Sequence, residues 1–152
     1  MKKNITFIFA ITILALIGFA FTNDKQENSS VNTATNEGIQ FFEGTWEEVL
    51  QKAKTEHKII FLDAYAAWCG PCKIMTKKYF TKANVGTFYN EHFINFKMDM
   101  EKNPEGPRLS RKYKLTAYPT LYFVDGDENI LHQSIGMLDD KALVKLGEDV
   151  LE

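Results

Sequence analysis

Cys69 and Cys72 are the two cysteines of the chain, separated by Gly70-Pro71 and preceded by Trp68. Two thiols at this spacing can close a small disulfide ring, or they can supply half of a four-ligand metal site. Their surroundings bear on which. Sulfur attacks as the thiolate, and a thiol pKa falls from about 8.5 to about 3.5–7.5 at a helix N-terminus or beside a cation. Upstream, Ile59-Ile60-Phe61-Leu62 reads as a buried strand. Downstream, Lys73 to Phe80 reads as a helix, with Pro71 tolerated in its first turn. Cys69 is therefore expected at a helix N-terminus, where unpaired N–H groups and the helix dipole favour a thiolate. Cys72, one turn further in, is expected to be the more covered sulfur. An exposed attacker and a covered resolver suit disulfide exchange.

The flanking elements follow from pattern. Thr45 and Glu48 form a capping-box signature, and Trp46, Val49, Leu50 and Ala53 recur at helical spacing behind it. Trp46 is thus expected in the core. A short helix is expected over Val85 to Asn90, a strand over Phe93 to Met98, and a short helix over Arg108 to Tyr113. Leu121 to Val124 and Ile130 to Ile135 read as an antiparallel pair joined through Asp125-Gly126. Asp139 can cap a last helix with Leu143, Leu146 and Val150 on its apolar stripe. This order of helices and strands predicts an α/β fold, a central mixed sheet with helices on both faces. Lys73, Lys77 and Lys78 read as a solvated face, although Lys73 adjoins Cys72 and can add positive potential there. His57, His92 and His132 are scattered without metal-ligand spacing and fit a turn, a junction and a hairpin surface.

Trp68-Cys69-Gly70-Pro71-Cys72 matches the active-site motif of the thioredoxin family letter for letter. Asp63 resembles that family's buried carboxylate, Ala117-Tyr118-Pro119-Thr120 its cis-proline loop, and Gly136 the glycine before its last helix. The resemblance runs in family order over about Phe41 to Glu152. It also extends to the C-terminal domain of the membrane thiol-disulfide interchange protein. It implies a thioredoxin fold, catalysis by a Cys69–Cys72 dithiol/disulfide cycle without a separate cofactor, and Asp63 as proton acceptor for Cys72. A carboxyl buried in an apolar strand is itself expected to have a raised pKa. The resemblance further implies a substrate surface of Trp68, Gly70, Pro71, Tyr118, Pro119 and Thr120. Tyr118 departs from the aliphatic residue typical there. The lysine that usually partners the carboxylate falls, counting back from Asp99, at Asn95; Lys97 shares that strand face and can substitute.

Met1-Lys2-Lys3, the apolar run to Phe21 and Gly18-Phe19-Ala20 read as a secretory signal cleaved after Ala20, or an uncleaved anchor. Asn23 to Gln40 is polar and poor in large apolar residues. The expected organisation is a leader over 1–20, a tether over 21–40 and a thioredoxin-like domain over 41–152, with Ile39 to Phe42 as the alternative start of an extra strand. Export to a bacterial periplasm follows from the leader. It places the cysteine pair outside a reducing cytosol. A net charge of −2 gives no sign of nucleic-acid binding.

The expected activity is reduction of disulfides in exported proteins, re-supplied by a membrane thiol-disulfide electron donor, with a monomer as the default state. The competing readings are an exported disulfide oxidase or isomerase and a non-catalytic metal-binding or interaction module.

Overall fold

A computed structural model of the chain describes residues 37–152. The expected signal and most of the expected tether lie outside these residues. Helix α1 spans Trp46–Glu56, strand β1 Ile59–Tyr65, helix α2 Gly70–Ile74, helix α3 Ala83–His92 and strand β2 Phe93–Asp99. Helix α4 spans Gly106–Lys112, strands β3 and β4 Thr120–Val124 and Ile130–Ile135, and helix α5 Asp140–Leu151. The strands form one sheet in the order β2-β1-β3-β4. β1 runs parallel to β2 and antiparallel to β3, and β3 pairs antiparallel with β4.

The expected mixed sheet with helices on both faces is what the chain builds. Central strand β1 explains why its sequence is a continuous apolar run: both of its faces are covered. Ile60, Leu62 and Ala64 point into a cluster with Trp46, Val49 and Ala53 of α1 and Leu109 of α4. Phe61 points the other way, against Val85 and Tyr89 of α3 and Leu143 and Leu146 of α5. The period-two alternation of strand side chains puts Asp63 on the Phe61 face.

Local signals hold where they are chemical. Thr45 and Glu48 close a reciprocal capping box, and the Asp139 carboxylate accepts from the Ala142 N–H. Boundaries moved where tertiary packing extends an element. α3 is longer at both ends than expected. The cysteine helix starts at Gly70 and widens after Ile74 into a π-helical turn, Met75–Tyr79.

The start of the domain also needs correction. Residues Gly38 to Gln40, expected in the tether, are docked on the domain. Ile39 N–H donates to the Phe80 carbonyl at 2.7 Å and Phe42 N–H to the Asn95 carbonyl at 2.8 Å. Asn90 clasps the segment from both sides, accepting from Gln40 N–H and donating to the Gly38 carbonyl. Segment 38–42 is not a strand; it bends at Gly38 and has no regular secondary structure after it. Gly86 permits the approach, because a β-carbon there would lie 2.4 Å from the Glu37 carbonyl oxygen.

In the turn between β3 and β4, at the end of the sheet away from the C-terminus of β1, one carboxylate ties three elements. Glu128 accepts from Trp46 Nε1 at 2.6 Å, from Arg108 Nη2 at 2.6 Å and from Lys112 Nζ at 2.6 Å. The Arg108 hydrogen bond, with Lys112 and Trp46, pulls the Glu128 pKa from 4.5 down to about 2, against the opposing effect of burial. A depressed folded-state pKa stabilises the fold above the unfolded value and is lost as pH falls toward the folded one. Glu128→Gln is expected to lower stability by about 1–3 kcal/mol at neutral pH. Denaturant titrations from neutral pH down through 4.5 to about 2 should show the gap between the two proteins closing.

Candidate functional site

The site sits where β1 hands the chain to α2. Tyr65 ends the strand, and Cys69 becomes the N-cap of α2 in an extended backbone conformation. Its sulfur lies 3.2 Å from the Cys72 N–H, which points at it as a donor. Pro71 occupies the first turn, where its missing N–H costs no helical bond. The cysteines are joined in a disulfide with an S–S separation of 2.08 Å.

One expectation fails here. Cys69 is not the exposed partner of a covered Cys72; each is only 2 % exposed. The pair packs with Ala66, and Tyr65 and Tyr118 lie against it. Tyr118 arrives from the loop before β3, a long-range contact that the local strand-to-helix reading could not include.

The Tyr118–Pro119 peptide is cis, as the resemblance implied. The Pro119 carbonyl accepts from Gly136 N–H at 2.8 Å, and Gly136 takes φ +99°, a left-handed conformation that suits glycine. Among the described residues, the backbone N–H and carbonyl of Tyr118 have no hydrogen-bond partner. Trp68 is 67 % exposed; its indole N–H donates to Glu101 Oε2 at 2.9 Å and its ring meets Tyr118 edge-on at 5.8 Å. Gly70 and Pro71 are exposed. Ile74, Ile135 and Met137 are also exposed large apolar residues. Thr120 does not contribute its side chain: it is 1 % exposed, and its hydroxyl donates to the Ala117 carbonyl.

Beneath α2 lies the carboxyl. Asp63 is 1 % exposed. Parallel register sets it opposite Lys97, and Lys97 Nζ donates to Asp63 Oδ2 at 2.8 Å. Lys97 is therefore the lysine partner. Asn95, two residues earlier on the same strand face, is buried and donates instead to the carbonyls of Gln40 and Tyr89. Counting back from Asp99 put the position at Asn95 and left Lys97 as a substitute; the structure bears out the substitute, because alternation cannot separate two residues of one face and only register can. Burial raises the Asp63 pKa, and the Lys97 charge and hydrogen bond oppose the rise. Asp63 Oδ1 has no hydrogen-bond partner among the described residues. An apolar-walled cavity of about 200 Å³, lined by Tyr65, Ala66, Ala67, Cys72, Lys73, Thr76, Lys77 and Lys97, brings Cys72 and Lys97 to a common space.

Two contributors escaped the sequence. The Thr76 hydroxyl contacts Lys97 Nζ at 2.5 Å; its position four residues after Cys72, on the same helix face, was the available signal. Glu101 had none, because its contact with Trp68 depends on how the β2 exit meets the cysteine loop. His57 and His132 are exposed, and His92 stacks on Phe88 with ring centroids 4.7 Å apart. Among the described residues, no three His, Cys, Asp or Glu side chains form a metal-holding group, and no helix is long and apolar enough to cross a membrane.

The family model for Thioredox_DsbH, described as "Protein of unknown function, DUF255", matches residues 23–119. The chain belongs to this thioredoxin-like family. Among solved structures, a Bacteroides thetaiotaomicron protein named for a suggested disulphide-isomerase activity is 40% identical, with a TM-score of 0.67 over 76% of this chain and 94% of that one. The oxidised C-terminal domain of Neisseria meningitidis DsbD shares the fold, at 23% identity and a TM-score of 0.58 over 73% of this chain and 97% of that domain. Thioredoxin-T of Drosophila melanogaster is 33% identical over 61% of this chain and 54% of its own length. The thiol:disulfide interchange protein DsbD of Haemophilus influenzae is 27% identical over 92% of this chain. The chain thus spans about half of the former relative and 25% of the latter. The Thioredox_DsbH domain described here is of the thioredoxin oxidoreductase type, built on its cysteine pair.

A raised carboxyl pKa has a definite sign in stability. Between the unfolded and the raised folded pKa, the native state holds a proton that the unfolded chain has lost, so stability falls as pH rises. Asp63→Asn removes this dependence. Thermal or denaturant unfolding from about pH 4 to about pH 8 should show the stability difference moving in favour of the variant as pH rises, by about 1.4 kcal/mol per unit of pKa elevation. A constant difference would mean that Asp63 is already ionised throughout.

Proposed function

We propose that the protein is an exported reductase of protein disulfides. The carrying observation is the Cys69 sulfur at the N-cap of α2 with the Cys72 N–H aimed at it. When the pair is reduced, that donor and the helix N-terminus favour a thiolate at Cys69. The thiolate attacks one sulfur of a substrate disulfide, forming a mixed disulfide, and the other substrate sulfur leaves as a thiolate. Cys72 passes its proton toward the Asp63 carboxylate, directly or through water, and attacks the Cys69 sulfur. The Cys69–Cys72 bond forms, the second substrate thiolate departs, and two electrons have passed to the substrate.

The exposed Trp68, Pro71, Ile74, Ile135 and Met137 offer an apolar docking surface. The unpartnered backbone of Tyr118 is suited to pair with an extended substrate segment. Thr120 remains outside this side-chain surface. The Gly-Pro between the cysteines supports the reducing direction, and the leader-like N-terminus supports export to a periplasm. Likeness to DsbD supports a membrane thiol-disulfide donor as the source of electrons. A second reading, isomerisation, is favoured by the relative at 40% identity.

The reduction potential of the Cys69–Cys72 couple against a glutathione buffer separates the two. A value at or below about −230 mV is expected for the reductase, whereas one above about −180 mV would favour oxidase or isomerase work. Cys72→Ser is expected to accumulate mixed disulfides through Cys69, visible on non-reducing gels. Their formation through Cys72 in the Cys69→Ser protein instead would reverse the assignment.

A further inference from the structure

The Lys97 ammonium has three N–H donors. One meets Asp63 Oδ2 at 2.8 Å and another Thr76 Oγ1 at 2.5 Å. Among the described residues no third oxygen accepts from it. Aromatic rings surround it instead: the centroid of Tyr65 is 4.4 Å from Nζ, that of Phe80 5.5 Å and that of Phe41 5.8 Å. All lie within the roughly 6 Å over which a ring face attracts a cation. The rings come from three separate parts of the chain: the end of β1, the residue after the π-helical turn, and the docked segment before α1.

We propose that Tyr65, Phe80 and Phe41 form an aromatic cage whose rings are positioning residues, holding the Lys97 ammonium against Asp63 and so setting the proton affinity of that carboxyl. The proposal rests on Asp63 serving Cys72 as proton acceptor, and it gives the docked N-terminal segment a part in the chemistry. Phe41 reaches the cage because the segment is fastened. Its backbone neighbours are held by Phe80, Asn90 and Asn95. Gly38 lets it lie close, since a β-carbon there would stand 2.4 Å from the Phe80 carbonyl oxygen. Phe41 and Phe80 also pack on each other at a tilt of 59°, with centroids 5.6 Å apart.

Adjacent Phe42 packs into the opposite cluster, with α1. Phe42 is thus an internal control: equal in size and next in sequence, but on the other face. The groups facing the pair are the Tyr65 hydroxyl on β1, with Asp99 acting on it, and Cys72, Lys73 and Lys77 from the cysteine helix and its π turn. Glu37 and Glu43 of the docked segment line an outer groove with Thr76. Substituting Phe41 or Phe42 changes none of these groups, and Tyr65→Leu removes one hydroxyl that is neutral over the titration range of a carboxyl.

The test is the titration of the Asp63 carboxyl carbon by NMR in the oxidised full chain, alongside the pH profile of substrate release from the mixed disulfide by Cys72. Phe41→Leu retains apolar bulk and removes the ring face. Its Asp63 midpoint is expected to rise by about half a pH unit, near threefold in proton affinity, because the carboxylate loses part of its counter-charge. Tyr65→Leu should move it in the same direction and further. Phe41→Tyr and Phe42→Leu should leave it in place. An unmoved midpoint in both Phe41→Leu and Tyr65→Leu, or an equal shift in Phe42→Leu, would overturn the cage and leave the rings as packing. A midpoint that moves while the release profile does not would uphold the cage and instead remove Asp63 from the Cys72 step.

Discussion

A carboxyl buried in a central strand cannot stay ionised without help, and the contact between Asp63 and Lys97 is where this protein meets that constraint. The aspartate is buried by the same strand that makes the domain's centre, so its charge cannot be relieved by moving toward solvent. A cation must be brought to it. Lys97 does so from β2 with its own side chain still 21 % exposed, so the lysine enters from the edge of the buried region. The parallel register of β1 and β2 is therefore both structural and chemical: a slip of one residue would turn Lys97 to the opposite face. The helix above the pair contributes Thr76, and three rings close around the ammonium.

The site divides into two layers. The outer layer is a surface: Trp68, Pro71, Ile74, Ile135 and Met137 expose apolar area around a disulfide that itself shows almost none. Glu101 holds the Trp68 indole, and Tyr118 leans on both the indole and the sulfurs. The inner layer is the buried Asp63 carboxyl with its Lys97 counter-charge. The cysteine helix separates the two, with Cys69 at its cap and Cys72 beside the cavity that reaches Lys97. Under the proposed function, partner selection falls to the outer layer and proton handling to the inner one.

At the other end of the sheet, Glu128 performs a plainly structural task with similar means. A carboxylate is partly covered, but Arg108, Lys112 and Trp46 supply strong donors, and its proton affinity falls where that of Asp63 rises. The contrast lies in the environment. Glu128 has donors from three residues to offset its burial. Asp63 has one, and one of its oxygens has no partner among the described residues.

The sequence alone determined those features whose physics is local. The helix cap at Cys69 follows from a strand that ends before Gly-Pro, the capping box from Thr45 and Glu48, and the two-sided burial of β1 from its unbroken apolar run. The cysteine pair and the layered sheet were legible from residue types and order, and Asp63 and Pro119 through the family resemblance. Tertiary structure alone decided the rest. Lys97 over Asn95 as the partner is a matter of inter-strand register. The equal cover of Cys69 and Cys72 involves Ala66, Tyr65 and Tyr118, the last 46 residues beyond the nearer sulfur by number. The docking of Gly38 to Phe42 depends on Asn90, Asn95 and the space left by Gly86. Each of these joins residues far apart in the chain, and no local periodicity encodes such a distance; only packing of the whole domain brings them together.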